Sequence, residues 1–399
     1  MTASGCWVSG FLGFSATKQP RNPATVTTLL ALLLAFPAIA DDEFTLYDLL
    51  PPETHQFAII YDVTQAREGA TTYDNPIRAG AVATKERVIA RATGEELKFE
   101  VVEGKFIRVH LPGPVPKGGE TRIRIFKTYT DAASYGVKDG QLFFERPLGI
   151  KRNVILLPKG WQLTGCASPG MVSTDADGRV RVSFVNDRDD QLPVKCVATA
   201  LVGAAPATTL DHRAEQDREI SYWLLDPSTH QFRISHDFTV TRAGQKSVHS
   251  FVRKGSVVAP DAKMIDLDSG KVLETHTVAG KDVNALGYYP TPTDPDSVVV
   301  QGDLGRAIAA GQSARIRVEE TYTDPVGYTA QGGELTWKRT LGRPVNFVTL
   351  PAGWTLTSVN TPAVIAVDEK GRVTLRFTNI RNDELSVVIR ARRKPATNV

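Results

Sequence analysis

Hydrophobic and polar residues alternate with period two along much of this chain. Phe57, Ile59, Tyr61 and Val63 fall on one side of an extended segment, and Phe232, Ile234, His236, Phe238 and Val240 on one side of another. Such alternation gives a strand one buried face and one wet face. Further strands are predicted at Arg122–Ile125 and Arg315–Val318, Phe143–Arg146 and Thr336–Arg339, Asn153–Leu157 and Asn346–Leu350. Asp177-Gly178 and Lys370-Gly371 turn hairpins into Val180–Phe184 and Val373–Phe377, and the last strands are Leu192–Thr199 and Leu385–Ala391. Helical periodicity is nearly absent, with one short turn expected at Leu304–Ala310. Many short strands punctuated by 32 Gly and 24 Pro predict an all-β sandwich architecture.

These strands come in pairs because the sequence repeats. Pro158–Cys196 aligns without a gap to Pro351–Ile389, and 16 of those 39 positions are identical. Outside that block, Tyr47–Phe57 matches Tyr222–Phe232, and Thr128–Asp131 matches Thr321–Asp324, both Thr-Tyr-Thr-Asp. Self-similarity of this length predicts two tandem homologous β-sandwich domains. Residues 41–200 make the first and 217–394 the second, joined by a small-residue linker at 201–216 and followed by a tail at 395–399. The offset between the halves grows from 175 at Thr54/Thr229 to 193 at Thr128/Thr321, so the second half carries an insertion near 282–304. Tyr288 and Tyr289 sit there on a proline-stiffened loop with Asp294 and Asp296. They are a candidate contact surface or a tolerated surface insertion.

Composition adds an address. Lys18 and Arg21 precede the apolar run Leu29–Phe36, which ends at Ala38-Ile39-Ala40, the pattern of a secretory signal peptide over residues 1–40 cleaved after Ala40. The run is too short to span a bilayer, which takes about 20 apolar residues. A periplasmic or extracellular location is expected, with no integral membrane segment after cleavage. Net charge is +3 for the whole chain, and nothing in it points to nucleic acid. Cys166 and Cys196 are replaced together by Val359 and Ile389 in the second half. Joint loss in an oxidising compartment predicts a disulfide between them.

Candidate chemistry is sparse. Neither HExxH nor CxxC nor a His-x-His spacing is present, so no metal or other cofactor is expected. There is no G-x-S-x-G elbow, and no catalytic residue is assigned. Several residues recur in both halves and read as structural: His55 and His230, Trp161 and Trp354, Arg188 with Asp190, and Arg381 with Asp383. Trp223 stands where the first half has Asp48.

The Thr-His-Gln-Phe strand entrances at His55 and His230, the alternating strands ending near Asp62 or Asp237, and the Thr-Tyr-Thr-Asp strands carry a family resemblance. They resemble the N-terminal β-saddle domain of gluzincin aminopeptidases and the luminal β-domains of ribophorin-type oligosaccharyltransferase subunits. The resemblance covers the first half of each repeat and implies a β-sandwich that positions or recognises a partner. The aminopeptidase HExxH motif and its downstream Glu are absent, so peptidase activity does not carry over. The expected function is therefore an exported, non-catalytic binding or scaffolding protein. It would contact a protein or peptide through the Tyr288-Tyr289 loop and the groove between the halves. The alternatives are a carbohydrate-binding module of the cell envelope, for which Trp223 is the candidate aromatic, and a hydrolase whose site forms only in three dimensions. The hydrolase would show a cleft of polar groups from one half with mutually shifted pKa values.

Overall fold

A computed structural model describes residues 44–394 apart from 79, 189 and 202–212. The expected signal peptide, most of the linker and the tail lie outside the described residues. The described chain is all-β, with several sheets, one α-helix and three short 3-10 turns. The helix is Gly280–Ala285, not the turn expected at Leu304–Ala310, which is irregular. Asp282 explains the position, since its carboxylate accepts the Ala279 N–H at 3.3 Å and closes the first turn. Gly305, at φ +67°, turns the chain away from helical geometry inside the expected segment.

In the first half, a seven-stranded sheet runs Met171–Thr174, Val180–Val185, Arg152–Leu156, Phe44–Leu49, Gln56–Gln65, Thr121–Thr130, Val82–Ala90. In the second half, a nine-stranded sheet contains the run Val364–Val367, Val373–Thr378, Val345–Thr349, Glu219–Leu224, Gln231–Val240, Ala314–Thr323, Lys263–Asp266. Each has one parallel pairing, Phe44–Leu49 on Arg152–Leu156 and Glu219–Leu224 on Val345–Thr349. A four-stranded sheet packs on each, so apolar faces meet in cores. One core gathers Phe57, Tyr135, Phe144 and Phe184, and the other Phe232, Tyr328, Trp337 and Phe377. In the second half a separate cluster of Val248, Met264, Val300 and Ile316 lies under the three-stranded sheet Ser247–Phe251, Val298–Asp303, Glu274–Ala279.

The expected disulfide is not formed. Cys166 and Cys196 face each other directly across the antiparallel strands Trp161–Cys166 and Leu192–Ala200, with their sulfurs 3.3 Å apart. A covalent bond needs about 2.05 Å. Val359 and Ile389 occupy the matching cross-strand pair in the second half. Joint replacement thus reflects packing of two small side chains against each other.

Ionic contacts join the halves. The fully buried Arg122 guanidinium meets Asp268 at 2.8 Å and donates to Thr239 and Ser313 at 3.2 and 3.0 Å. Arg91 reaches Asp217 at 3.3 Å, and the Glu120 N–H donates to the Leu267 carbonyl at 2.7 Å. The 3-10 turn Arg213–Glu215 docks on the first half, where Arg152 donates to the carbonyls of Ala214 and Gln216.

Candidate functional site: a cavity in the second half

Between the two apolar clusters of the second half opens a cavity of about 550 Å³, a size suited to a small ligand. Alternation along three neighbouring strands builds its floor. Ile220 and Tyr222, then Ile234, His236 and Phe238, then Glu320 and Tyr322 all point to the same side. Ser250, Phe251 and Arg253 form one wall with Tyr289, and Arg339, Thr340, Arg343 and Glu384 form the other.

Polar atoms in this cavity are shielded from water and lack hydrogen-bond partners: Arg218 Nε, His236 Nε2, Glu320 Oε1 and Arg339 Nη1. Glu320 is only 4% exposed; its Oε2 accepts from Ser250 Oγ at 3.1 Å. Burial raises its carboxyl above the ordinary range. His236 is driven well below its usual value by burial and then by the positive charges of Arg218, Arg343 and Arg315, so its ring is neutral. Burial, and after it Arg343, lowers the Arg218 guanidinium to about 10. Arg343 is lowered chiefly by burial, with Glu384 acting in its favour. Neither Arg218 nor Arg343 makes an ion pair with a described residue. Native interiors rarely leave such groups unpaired, and an absent ligand is one physical reason for them.

Arg339 belongs to the scaffold. It lies over Tyr222, Phe232 and Tyr322 at 5.1 to 5.7 Å, with Asp324 at 3.7 Å. Arg146 of the first half lies likewise over Phe57 and Tyr129 and meets Asp131 at 2.9 Å. The halves part at the cavity. Facing Ile59, as Glu320 faces Ile234, is Lys127, whose Nζ donates to Asn75 at 2.5 Å. Tyr61 stands two residues after Ile59, as His236 does after Ile234. In the aligned sequence Ile150 stands for Arg343 and Gln191 for Glu384. Arg218, Glu320 and Arg343 belong to no sequence motif, and His236 reads from sequence only as an inward step of its strand. The available signal was the change of charge at inward-facing steps of otherwise matching strands.

Tyr289 borders the cavity. Its ring packs on Phe251 and His249 at 5.2 and 5.7 Å, its hydroxyl lies 3.1 Å from His249 Nδ1, and burial pushes it up to about 12. Tyr288 is tied outside it, its hydroxyl accepting from the Lys246 N–H and its carbonyl from Arg242. Asp294 and Asp296 are exposed and do not line the cavity; Asp294 Oδ1 accepts the Asp296 N–H. The loop is pinned to the helix by Asn284 and Thr293, which exchange two 2.9 Å bonds. Gly280 allows this, because a Cβ there would lie 2.1 Å from the Asp294 carbonyl oxygen. Trp223 points to the opposite side of the sheet from Tyr222, paired across strands with Arg233.

The recurring residues do related work in both halves. His55 and His230 adopt left-handed backbone, φ 52° and 56°, and each Nδ1 donates to a carbonyl, of Tyr135 at 2.9 Å and Tyr328 at 2.8 Å. Trp354 is buried in its core, and Trp161 packs partly exposed against the other. Arg188 forks onto Asp190, and Arg381 onto Asp383; Asn186 and Asn379 close the same loops by donating to the Asp190 and Asp383 carbonyls. Among the described residues no cluster of three or more His, Cys, Asp or Glu could hold a metal, and no helix is long and apolar enough to cross a membrane.

No family model and no curated protein matches the chain. Solved structures match distantly. An M1 zinc metallopeptidase from Deinococcus radiodurans aligns with TM-score 0.29 and 12% identity over 39% of this chain and 41% of its own. An aminopeptidase N family protein from Idiomarina loihiensis aligns with TM-score 0.27 and 10% identity over 39% of this chain and 29% of its own. The collagen adhesin of S. aureus gives TM-score 0.15 and 8% identity over 71% of this chain and 79% of its own. The chain therefore spans less than half the length of the metallopeptidases it matches.

Proposed function

We propose that this is an exported, non-catalytic binding protein built from two copies of one β-domain, and that its ligand, a peptide or a segment of a protein, enters the cavity of the second copy. The shared sheet order and the gapless 39-residue block support duplication. The observation that carries the binding reading is the set of solvent-shielded, unpartnered atoms on Arg218, His236 and Glu320 around a cavity. In the first copy the corresponding steps are occupied by Tyr61 and by Lys127 paired with Asn75. Duplication leaves one copy free to keep the scaffold role while the other acquires a site. The groove between the copies is a weaker place for a ligand, because buried ion pairs fill the joint.

A hydrolase is the second reading, since the cavity gathers polar groups of shifted pKa from one half and Ser250 Oγ donates to Glu320. A carboxyl raised in this way suits a general base as well as a general acid, so product release decides this reading. The carbohydrate reading rests on Trp223, on the other side of the sheet. A crosslinking pull-down from envelope extract separates the three. The binding reading expects capture by wild type and by Trp223→Ala, and loss in Arg218→Gln/Arg343→Gln. Loss in Trp223→Ala alone supports the outer-face reading, and release of cleaved products supports the hydrolase.

A further inference from the structure

Resting on the assignment of the cavity as a binding site, we propose that it captures the carboxylate at the C-terminus of a peptide. Arg218 and Arg343 hold the oxyanion, and the aromatic wall of Phe238, Phe251 and Tyr289 holds the terminal side chain.

The charges define the class of ligand. Two guanidinium groups, of Arg218 and Arg343, line the cavity without an ion pair to a described residue, and Arg218 Nε is shut off from water. Other arginines in the lining are engaged: Arg242 donates to the Tyr288 carbonyl at 2.7 Å, Arg253 to Thr340 Oγ1 at 2.5 Å, and Arg339 stays with Asp324 and its three rings. Glu384 shares the cavity with Arg343 and offsets one of the two free positive charges. Arg242 and Arg253 stay charged against the neutral oxygens of Tyr288 and Thr340, so the cavity as a whole is cationic and suits an anion. Guanidinium groups match a planar carboxylate through parallel N–H donors, and in a shielded site such bonds are stronger than in water.

The other lining groups select the part of the peptide next to its carboxylate. Glu320, whose carboxyl burial raises above its ordinary range, presents Oε1 as a hydrogen-bonding group for the peptide backbone. Phe251 and Tyr289 meet edge to face at 5.2 Å, and the Arg218 guanidinium lies over the Phe238 ring at 5.8 Å, so aromatic surface borders the arginine. His236, kept neutral by the arginines, offers Nε2 without adding charge.

The test uses the whole chain and two mixed-sequence tetrapeptide pools, one with free C-termini and one amidated, read by affinity selection and mass spectrometry. The expected result is retention of the free-acid pool, enriched in apolar or aromatic last residues, with the amide pool retained at least about 10-fold less, a difference of about 1.4 kcal/mol. Arg218→Gln and Arg343→Gln should each lower retention by a similar factor. Without ligand, Arg218→Gln should melt a few degrees higher than wild type, because it removes an unpaired, desolvated charge. A residue kept only for structure would instead lower the melting temperature.

Equal retention of both pools, abolished by Tyr289→Ala, overturns the carboxylate assignment and leaves the cavity as a binding site. Binding of inorganic phosphate in place of either pool overturns it in favour of a phosphorylated ligand. Retention unaffected by Arg218→Gln, Arg343→Gln and Tyr289→Ala overturns both the carboxylate assignment and the cavity reading.

Discussion

At the scale of single residues, the protein's most informative groups are those whose surroundings work against their usual charge. His236 stays neutral because burial and three arginines oppose its protonation. An unfolded histidine takes up a proton near pH 6.5, whereas the folded one refuses it. The unfolded state therefore binds more protons below that value, and stability falls as pH drops through and beneath about 6.5. His236→Tyr, which installs the residue of the first half, should flatten this dependence when melting temperature is followed from pH 7.5 to 5. Profiles that stay parallel would assign the acid sensitivity elsewhere.

The thiols give a second residue-scale prediction. A hydrogen bond from Cys196 lowers the partly exposed Cys166 to about 6, while the same contact and burial push Cys196 up. Iodoacetamide should modify Cys166 in the folded protein with a midpoint near that pH, and Cys196 only after unfolding. Absence of free thiol in unreduced, denatured protein would contradict the unbonded arrangement.

At the scale of elements, the period-two pattern made most strands legible, because one face of each is covered by a core. The hairpins at Gly178 and Gly371 were legible for a related reason: both glycines sit at φ values, +84° and +71°, that few other residues adopt. The helix was misplaced because six residues carry too little periodicity, and its position rests on Asp282 and the pinned loop. The histidine entrances were visible as a repeated Thr-His-Gln-Phe, but their left-handed backbone was not. That conformation costs about 1 kcal/mol, offset by the ring's bond to a carbonyl. His230→Ala keeps the strain and loses the bond, so it should destabilise by about 1 to 2 kcal/mol in denaturant titration. His230→Gly, which relieves the backbone, should lose less. Equal losses would show that the backbone strain is not what separates the two residues.

At the scale of the whole molecule, the joint between the halves was not legible, since its contacts link residues far apart in sequence. Arg122 meets Asp268 across 146 positions, and Ser313 Oγ donates to the Arg91 carbonyl across 222. The cavity was illegible for the same reason, as Arg218, Glu320 and Arg343 come from three separated segments. Its aromatic border at Tyr289 was the part that could be read. Arg122→Ala leaves the half-buried Asp268 without its ion pair, still accepting the Arg315 N–H, so about 3 kcal/mol should be lost. Because the joint couples the halves, wild type should unfold in one transition, and this variant should separate it into two. A single unchanged transition in the variant would mean that the ion pair does not couple them.

The central claim, that the unpartnered groups of the second half are completed by a ligand, meets its most direct test in native mass spectrometry of the whole chain. Wild-type protein released gently from cells should carry a non-covalent adduct that Arg218→Gln/Arg343→Gln lacks, while Trp223→Ala retains it. Identical bare masses for wild type and the double variant would contradict the account.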